Sequence, residues 1–242
     1  MAKPMISIPL LLNAEHACSY LAEQQARSIF VHPHFALNTD IYGQLIEQGF
    51  RRSGDNVYAP QCAGCHACIP VRIRADDFKA NRSQKRCWQT NINTQVIVKP
   101  AEFEQQHYDL YCRYQLMRHA EGAMADASAG DYINFLGSTW CDTVFVEFSI
   151  QGQLAGVAIV DQLPNALSAV YTFFDPHYAS YSLGTYAVLW QIARAKRQKR
   201  EFVYLGFWIS ACQKMAYKSN YHPLQQRLDG QWLTVDDHLA CS

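Results

Sequence analysis

An α+β fold is predicted by three observations. Residues 143–148, 154–160 and 167–173 are strand-type apolar runs that follow one another closely, as in an antiparallel meander. A helical stretch from Ser182 to about Arg200 comes next, and then a strand-like run, Phe202–Leu205. Upstream lies a part of different character that carries the cysteines, so the chain divides into an N-terminal cysteine-containing α/β region, about 1–90, and a second domain, about 91–242.

The elements can be justified in order. Met5–Leu12 is apolar, interrupted by Pro9, and reads as a strand or ordered arm. It is too short to span a bilayer and lacks the form of a signal peptide. No other run approaches ~18 apolar residues, so no membrane segment is expected. Leu21–Arg27 reads as a helix, Thr39 or Asp40 as the cap of a second helix through Gln48 stopped by Gly49, and Phe50–Asp55 as a polar turn. Ile69–Arg74 and Thr94–Val98 are short strands. Glu102 to about His119 is a helix whose Tyr108, Leu110, Tyr111 and Tyr114 are spaced for burial, and Asp131–Leu136 is a further helical turn. Gly152 turns the meander and Asp175-Pro176 ends it. A helix and strand after a three-stranded antiparallel meander is the order found in acyltransferases of the GNAT-like fold.

Composition narrows function. The 242 residues carry a formal net charge of zero, so any nucleic-acid contact must come from local patches. Nine cysteines without a paired framework point to reduced thiols and a cytoplasmic protein. Cys62, Cys65 and Cys68, with Cys18 upstream, are candidate ligands of zinc or an iron–sulfur cluster, or free thiols in a packed turn. His66 is a further candidate ligand, and Cys87, Cys112, Cys141, Cys212 and Cys241 are read as structural. Arg82, Lys85 and Arg86 form a compact basic cluster suited to phosphate or to an acidic side chain. Lys214 and Lys218, four apart, would share one helix face as a second clamp. The cations from Arg194 to Arg200 read as a solvated face favoured at a helix C-terminus, with a stripe facing nucleic acid as the alternative. Arg51 and Arg52 are either a site for an acidic side chain or surface.

The ordered motifs Gly49–Gly54, Cys62–Arg72, Phe78–Arg86, Leu110–His119, Leu167–Pro176, Ser182–Tyr186, Tyr204–Gly206 and Lys214–Lys218 span nearly the whole chain. In this order they resemble the arginyl-tRNA–protein transferase family, and more closely its bacterial branch that transfers leucine to N-terminal aspartate or glutamate. The chain departs from the pattern at Ala59 and at Tyr181, where basic residues are common. The resemblance implies a GNAT-like aminoacyltransferase that takes leucyl-tRNA as donor and proteins with N-terminal Asp or Glu as acceptors, marking them for N-degron proteolysis. It also implies an iron–sulfur cluster as an option for the cysteines, as in eukaryotic members. Arginine as donor is the alternative within the family.

The chemistry needs no metal or nucleotide, because the donor ester is already activated. It needs an acceptor amine held ~3–3.5 Å from the ester carbonyl, a stabilised oxyanion and a proton for the leaving ribose hydroxyl. The helix start at Ser182, Gly184 and Thr185 offers free N–H groups and hydroxyls for the donor, or is a plain cap with a packing glycine. Asp161, Tyr171 and Asp175, at or near strand ends, are the candidates for proton handling. Phe207 and Trp208 would stack on a base or pack in the core. An acyl-CoA-dependent N-acetyltransferase and a zinc-ribbon nucleic-acid binder are the rival classes. The size of the second part speaks against a bare binding module.

Overall fold

A computed structural model describes residues 7–118 and 128–235. Met5, His119 and Cys241, which figure in the expectations above, lie outside these residues. Along the chain the strands are Leu10–Leu12 (β1), His16–Ala17 (β2), Gln25–Ala26 (β3), Ser28–Val31 (β4), Arg51–Ser53 (β5), Asn56–Pro60 (β6), Ile69–Arg74 (β7), Gln95–Pro100 (β8), Thr143–Ile150 (β9), Gln153–Leu163 (β10), Ala166–Phe174 (β11), Phe202–Trp208 (β12), Leu224–Leu228 (β13) and Gln231–Val235 (β14). The α-helices are Thr39–Glu47 (α1), Arg82–Thr90 (α2), Gln105–Arg118 (α3), Ala129–Leu136 (α4) and Leu183–Arg197 (α5). Two 3₁₀ segments, Pro176–Tyr181 and Gln213–Asn220, precede α5 and follow β12.

One eight-stranded sheet, in the order β14-β13-β7-β12-β11-β10-β9-β8, organises the molecule. The meander β9–β11 is antiparallel. Strands β11 and β12 pair in parallel, which requires a long crossover, and α5 supplies it. The α+β class and its GNAT-like order therefore stand as expected. The sequence alternates on two apolar faces. Phe145, Val157, Ile159 and Phe173 pack under α3 and α4, while Val146, Phe148, Ala158 and Val160 pack under α5. Each fully buried Leu, Ile, Val or Phe of this kind contributes about 1.5–3 kcal/mol. A smaller sheet, β1-β4-β6-β5, carries α1 and the cysteine segment.

The division near residue 90 follows the chain and not the sheet. Strand β7, from the first part, is inserted between β12 and β13 of the second, so one sheet joins both. Two local expectations also give way. Leu21–Arg27 is not helical: Glu23 takes a positive φ of 61°, and the chain turns back so that β3 pairs with β2. Phe50–Asp55 is no plain turn, since Arg51–Ser53 is a strand turning at Gly54 into β6. A β-carbon at Gly54 would lie 2.1 Å from the Asn134 carbonyl oxygen, so only glycine fits there. Asn38, one residue earlier than expected, caps α1 by accepting from the Ile41 N–H.

Candidate active site

The parallel pair β11–β12 is registered only from Ala166↔Phe202 to Ser168↔Tyr204. Beyond that point both strands bulge. Val170 is the extra residue of β11 against β10, and Leu205 the extra residue of β12 against β7. The strands therefore part, and side chains from elsewhere fill the opening. The Arg51 guanidinium donates to the carbonyls of Ala169 (3.2 Å), Val170 (2.8 Å) and Leu205 (3.4 Å). On the β12 side the Lys218 ammonium donates to the Phe207 carbonyl. Tyr171 sits on the β11 side in a ring of aromatics with Tyr111, Tyr114 and Phe135, and its hydroxyl accepts from Gln115 Nε2 at 3.2 Å. Burial, then Tyr114 and Tyr111, hold that hydroxyl above its ordinary pKa, so it is a proton donor at neutral pH.

The start of α5 borders the same opening. Ser182 stands at the cap position in a left-handed conformation (φ 52°) with no capping bond from its side chain, so the hydroxyl is not spent on the helix. A β-carbon at Gly184 would come 3.4 Å from Phe174, so the glycine packs closely against β11. Thr185 is hydrogen-bonded to Tyr221, the residue that follows the Lys218 segment. The plain-cap reading of this loop thus fails for Ser182 and holds in part for Gly184.

Other expected residues fall elsewhere. Asp161 is fully buried and bound by Arg52 through two bonds, Nη2–Oδ1 at 2.6 Å and Nε–Oδ2 at 2.9 Å, with Thr143 donating at 2.8 Å. Both of its oxygens are held away from solvent, which removes it from proton transfer. Asp175 is the cap of a 3₁₀ turn. Burial raises its pKa, but hydrogen bonds from the His177 N–H and ring, with the charges of His177 and Arg113, outweigh this and hold it below the ordinary carboxylate range. It is a fixed anion and not a base. Lys214 and Lys218 do not share a face: their segment is 3₁₀, where residues four apart diverge, so Lys214 is exposed and Lys218 only 5 % exposed. Arg82, Lys85 and Arg86 are all exposed on α2. That helix is tied to the α5 start by Cys87, whose thiol lies 3.7 Å from the Ser182 carbonyl, and by Asn91, which donates to Tyr181 at 2.8 Å. Of the basic cluster, Lys85 lines a cleft of about 330 Å³ between α2 and the later turns of α5, with Trp88, Leu189 and Ile192. Phe207 is buried and packs on Tyr58; Trp208 is half-buried on the main core.

Cys18, Cys62, Cys65 and Cys68 line one cavity of about 500 Å³, with His16, His66 and Tyr20. Burial, then Cys62, Cys18 and Cys65 in turn, push the Cys68 thiol up to about 11. Four thiols lining one cavity are a donor set of the kind that zinc or an iron–sulfur cluster takes. Among the described residues no three of these sulfurs lie within 4.8 Å of one another, wider than a closed zinc tetrahedron. Sequence reasoning leaves Arg51 undecided and pairs Lys218 with the wrong partner. The signal that would find them is Gly206, a glycine inside a strand, which marks a bulge and a close approach.

A mixed sheet with a splayed parallel pair, a crossover helix opening at the splay and hydroxyl and cationic groups around it define a transferase of the acyl-group kind. The chain belongs to the arginine-tRNA-protein transferase family: the profile of its N terminus matches residues 16–86 and that of its C terminus residues 106–228. It is an aminoacyltransferase. Similar relatives include the aspartate/glutamate leucyltransferases of Hahella chejuensis (43% identical over 91% of this chain and 94% of that one), Pseudomonas fluorescens (46% over 91% and 94%) and Chromobacterium violaceum (43% over 98% and 98%). Among solved structures, the C-terminal domain of a putative lysylphosphatidylglycerol synthetase from Agrobacterium fabrum aligns over 59% of this chain and 47% of that one at 9% identity and a TM-score of 0.43, too slight a likeness to argue from. Among the described residues no helix is long and apolar enough to cross a membrane.

Proposed function

We propose that the protein transfers leucine from leucyl-tRNA to the α-amine of proteins beginning with Asp or Glu, in the cytoplasm, and so creates an N-degron. The observation that carries this reading is the similarity, at 43–46% identity over nine-tenths or more of the chain, to relatives that are all named aspartate/glutamate leucyltransferase. The acceptor amine attacks the ester carbonyl, a C–N bond forms, the C–O bond to the terminal ribose breaks, and the amine's proton ends on the ribose hydroxyl. Tyr171, protonated and oriented by Gln115, is placed to donate to the developing oxyanion or the departing oxygen. Ser182 and the first N–H groups of α5 receive the terminal adenosine end of the donor, and Arg82, Lys85 and Arg86 the tRNA phosphates next to it. The four cysteines would hold an iron–sulfur cluster or zinc, which would brace the smaller sheet; the transfer is chemically complete without it.

The test supplies leucine and arginine, each as charged tRNA, to peptides beginning with Asp, Glu, Lys or Ala. Leucine moving to the Asp and Glu peptides alone is the expected result. Arginine moving in its place would overturn the donor and keep the family's reaction.

A further inference from the structure

We propose that Arg51 and Lys218 together form the carboxylate-binding subsite that receives the acidic side chain of the acceptor's first residue. This rests on the leucyl-transfer reading above and names what selects Asp and Glu within it.

Both groups are cations without an anion. Among the described residues Arg51 is hydrogen-bonded only to backbone carbonyls and Lys218 only to the Phe207 carbonyl, its ammonium also lying 5.9 Å from the Tyr217 ring centroid. Among the described residues neither is ion-paired to a carboxylate. A lysine this deeply buried is ordinarily paired, because an uncompensated charge in a low-dielectric site is costly. Burial first, and then the like charge of Arg51, push the Lys218 amine down to about 7, with Cys212 acting in the opposite direction. Arg200 also caps carbonyls, at Leu163 and Ala166, but it has Asp142 near enough to offset its charge. Arg51 and Lys218 instead repel one another across the opening between β11 and β12.

The fold makes room for this arrangement. Gly206 has a φ of +77°, and a β-carbon there would lie 1.2 Å from Arg51 Nη1. The guanidinium occupies the space of the missing side chain and is aimed by it. Among the described residues its Nε–H makes no hydrogen bond and Lys218 uses one of three donors, so both retain hydrogens for a carboxylate. Tyr20 lies close enough to Arg51 to feel its charge and also lines the cysteine cavity, which sets the subsite beside that cavity. A carboxylate placed between the cations would turn a repulsion into two charge-assisted bonds. A neutral amide in its place would leave both cations uncompensated, and sites built in this way discriminate strongly.

The experiment compares kcat/KM for leucyl transfer to peptides beginning with Glu and with Gln, using the wild type, Lys218→Met and Lys218→Arg, with Tm measured for each. The expected result is a Glu-over-Gln preference that falls at least about tenfold in Lys218→Met, through a higher KM for the Glu peptide, and is largely kept in Lys218→Arg. A lysine that only braces Phe207 would lower both peptides equally, and an unchanged ratio overturns the subsite. A ratio unchanged with kcat collapsed for both peptides assigns Lys218 to proton transfer and likewise overturns it. Should Lys218→Met not fold, the wild type decides by lysine NMR: a Glu dipeptide raises the Lys218 titration by a unit or more and a Gln dipeptide does not, and equal effects overturn the subsite. A wild type with no preference for Glu overturns the acidic-acceptor reading itself, which separates the two failures.

Discussion

Arg51 and Arg52 are neighbours in one short strand, and alternation sends them to opposite faces. Arg52 meets Asp161, a threonine and three carbonyls, and its charge is matched completely inside the protein. Arg51 meets carbonyls alone, beside a second cation. The same residue type, one position apart, thus serves as a closed structural pair in one place and an open charge in the other. A buried pair that is complete holds the fold; a pair of cations that is incomplete waits for a ligand.

The closed pair should break most severely. Asp161→Asn leaves the Arg52 guanidinium buried and uncompensated, and is expected to cost about 3–5 kcal/mol, read as a lower midpoint in urea unfolding. Whatever protein remains folded should keep its Glu-over-Gln ratio, because Asp161 is walled off from the opening. A variant of normal stability with impaired proton transfer would instead return Asp161 to the catalytic role its place near a strand end suggests.

Gly206→Ala attacks the open charge with a smaller cost. Alanine at a φ of +77° loses about 1–2 kcal/mol, and its β-carbon must displace Arg51. The expected outcome is a modest fall in Tm with a large fall in preference for acidic acceptors. The two variants should therefore be opposite in their ratio of stability loss to specificity loss. If Gly206→Ala lowers both peptides equally, the contrast between the two arginines disappears.

What is legible in the sequence follows from these contacts. The meander, the crossover helix and the strand after it announce themselves by apolar periodicity, because each buries apolar faces. Strand β5 does not, since Arg51 and Arg52 face inward as charges and no pattern of hydrophobicity marks them. Asp161 looks catalytic in the sequence for the same reason: a carboxylate near a strand end is visible, whereas its partner 109 residues earlier is not. Lys218 misleads because a spacing of four implies a shared face only on an α-helix, and its segment is 3₁₀. The basic cluster, the α5 start and Tyr171 also read as site residues from sequence; in the structure α2 is tied to the α5 start through Cys87 and Asn91.

Lys218 also sharpens the comparison through pH. Its amine titrates near 7 when folded and near 10.5 when unfolded, so between these values the unfolded chain binds more protons. Stability then rises with pH through that window, and the penalty of the buried charge is fully present only below it. Lys218→Met has no such charge. Its Tm relative to the wild type should be most favourable below pH 7 and should decline steadily toward pH 10. Arg52, matched by Asp161, contributes no comparable slope in this range.

The smallest effect on stability is expected from the cations that face water. Arg82 and Arg86 are exposed on α2, so replacing both with glutamine should change folding by no more than about 0.5 kcal/mol. Their charges act on the donor. Each phosphate left without its cation lowers the slope of log affinity against log salt by about 0.7–0.9, so the double variant should bind charged tRNA with a slope shallower by about 1.5. KM for the peptide and the Glu-over-Gln ratio should not move, because the acceptor subsite lies at the splay and draws on other cations. A salt slope equal to the wild type's would take α2 off the tRNA path. A changed peptide preference would mean that the outer and inner cations work as one field, and the separation drawn from Arg51 and Arg52 would then fail for the rest of the molecule's positive charge.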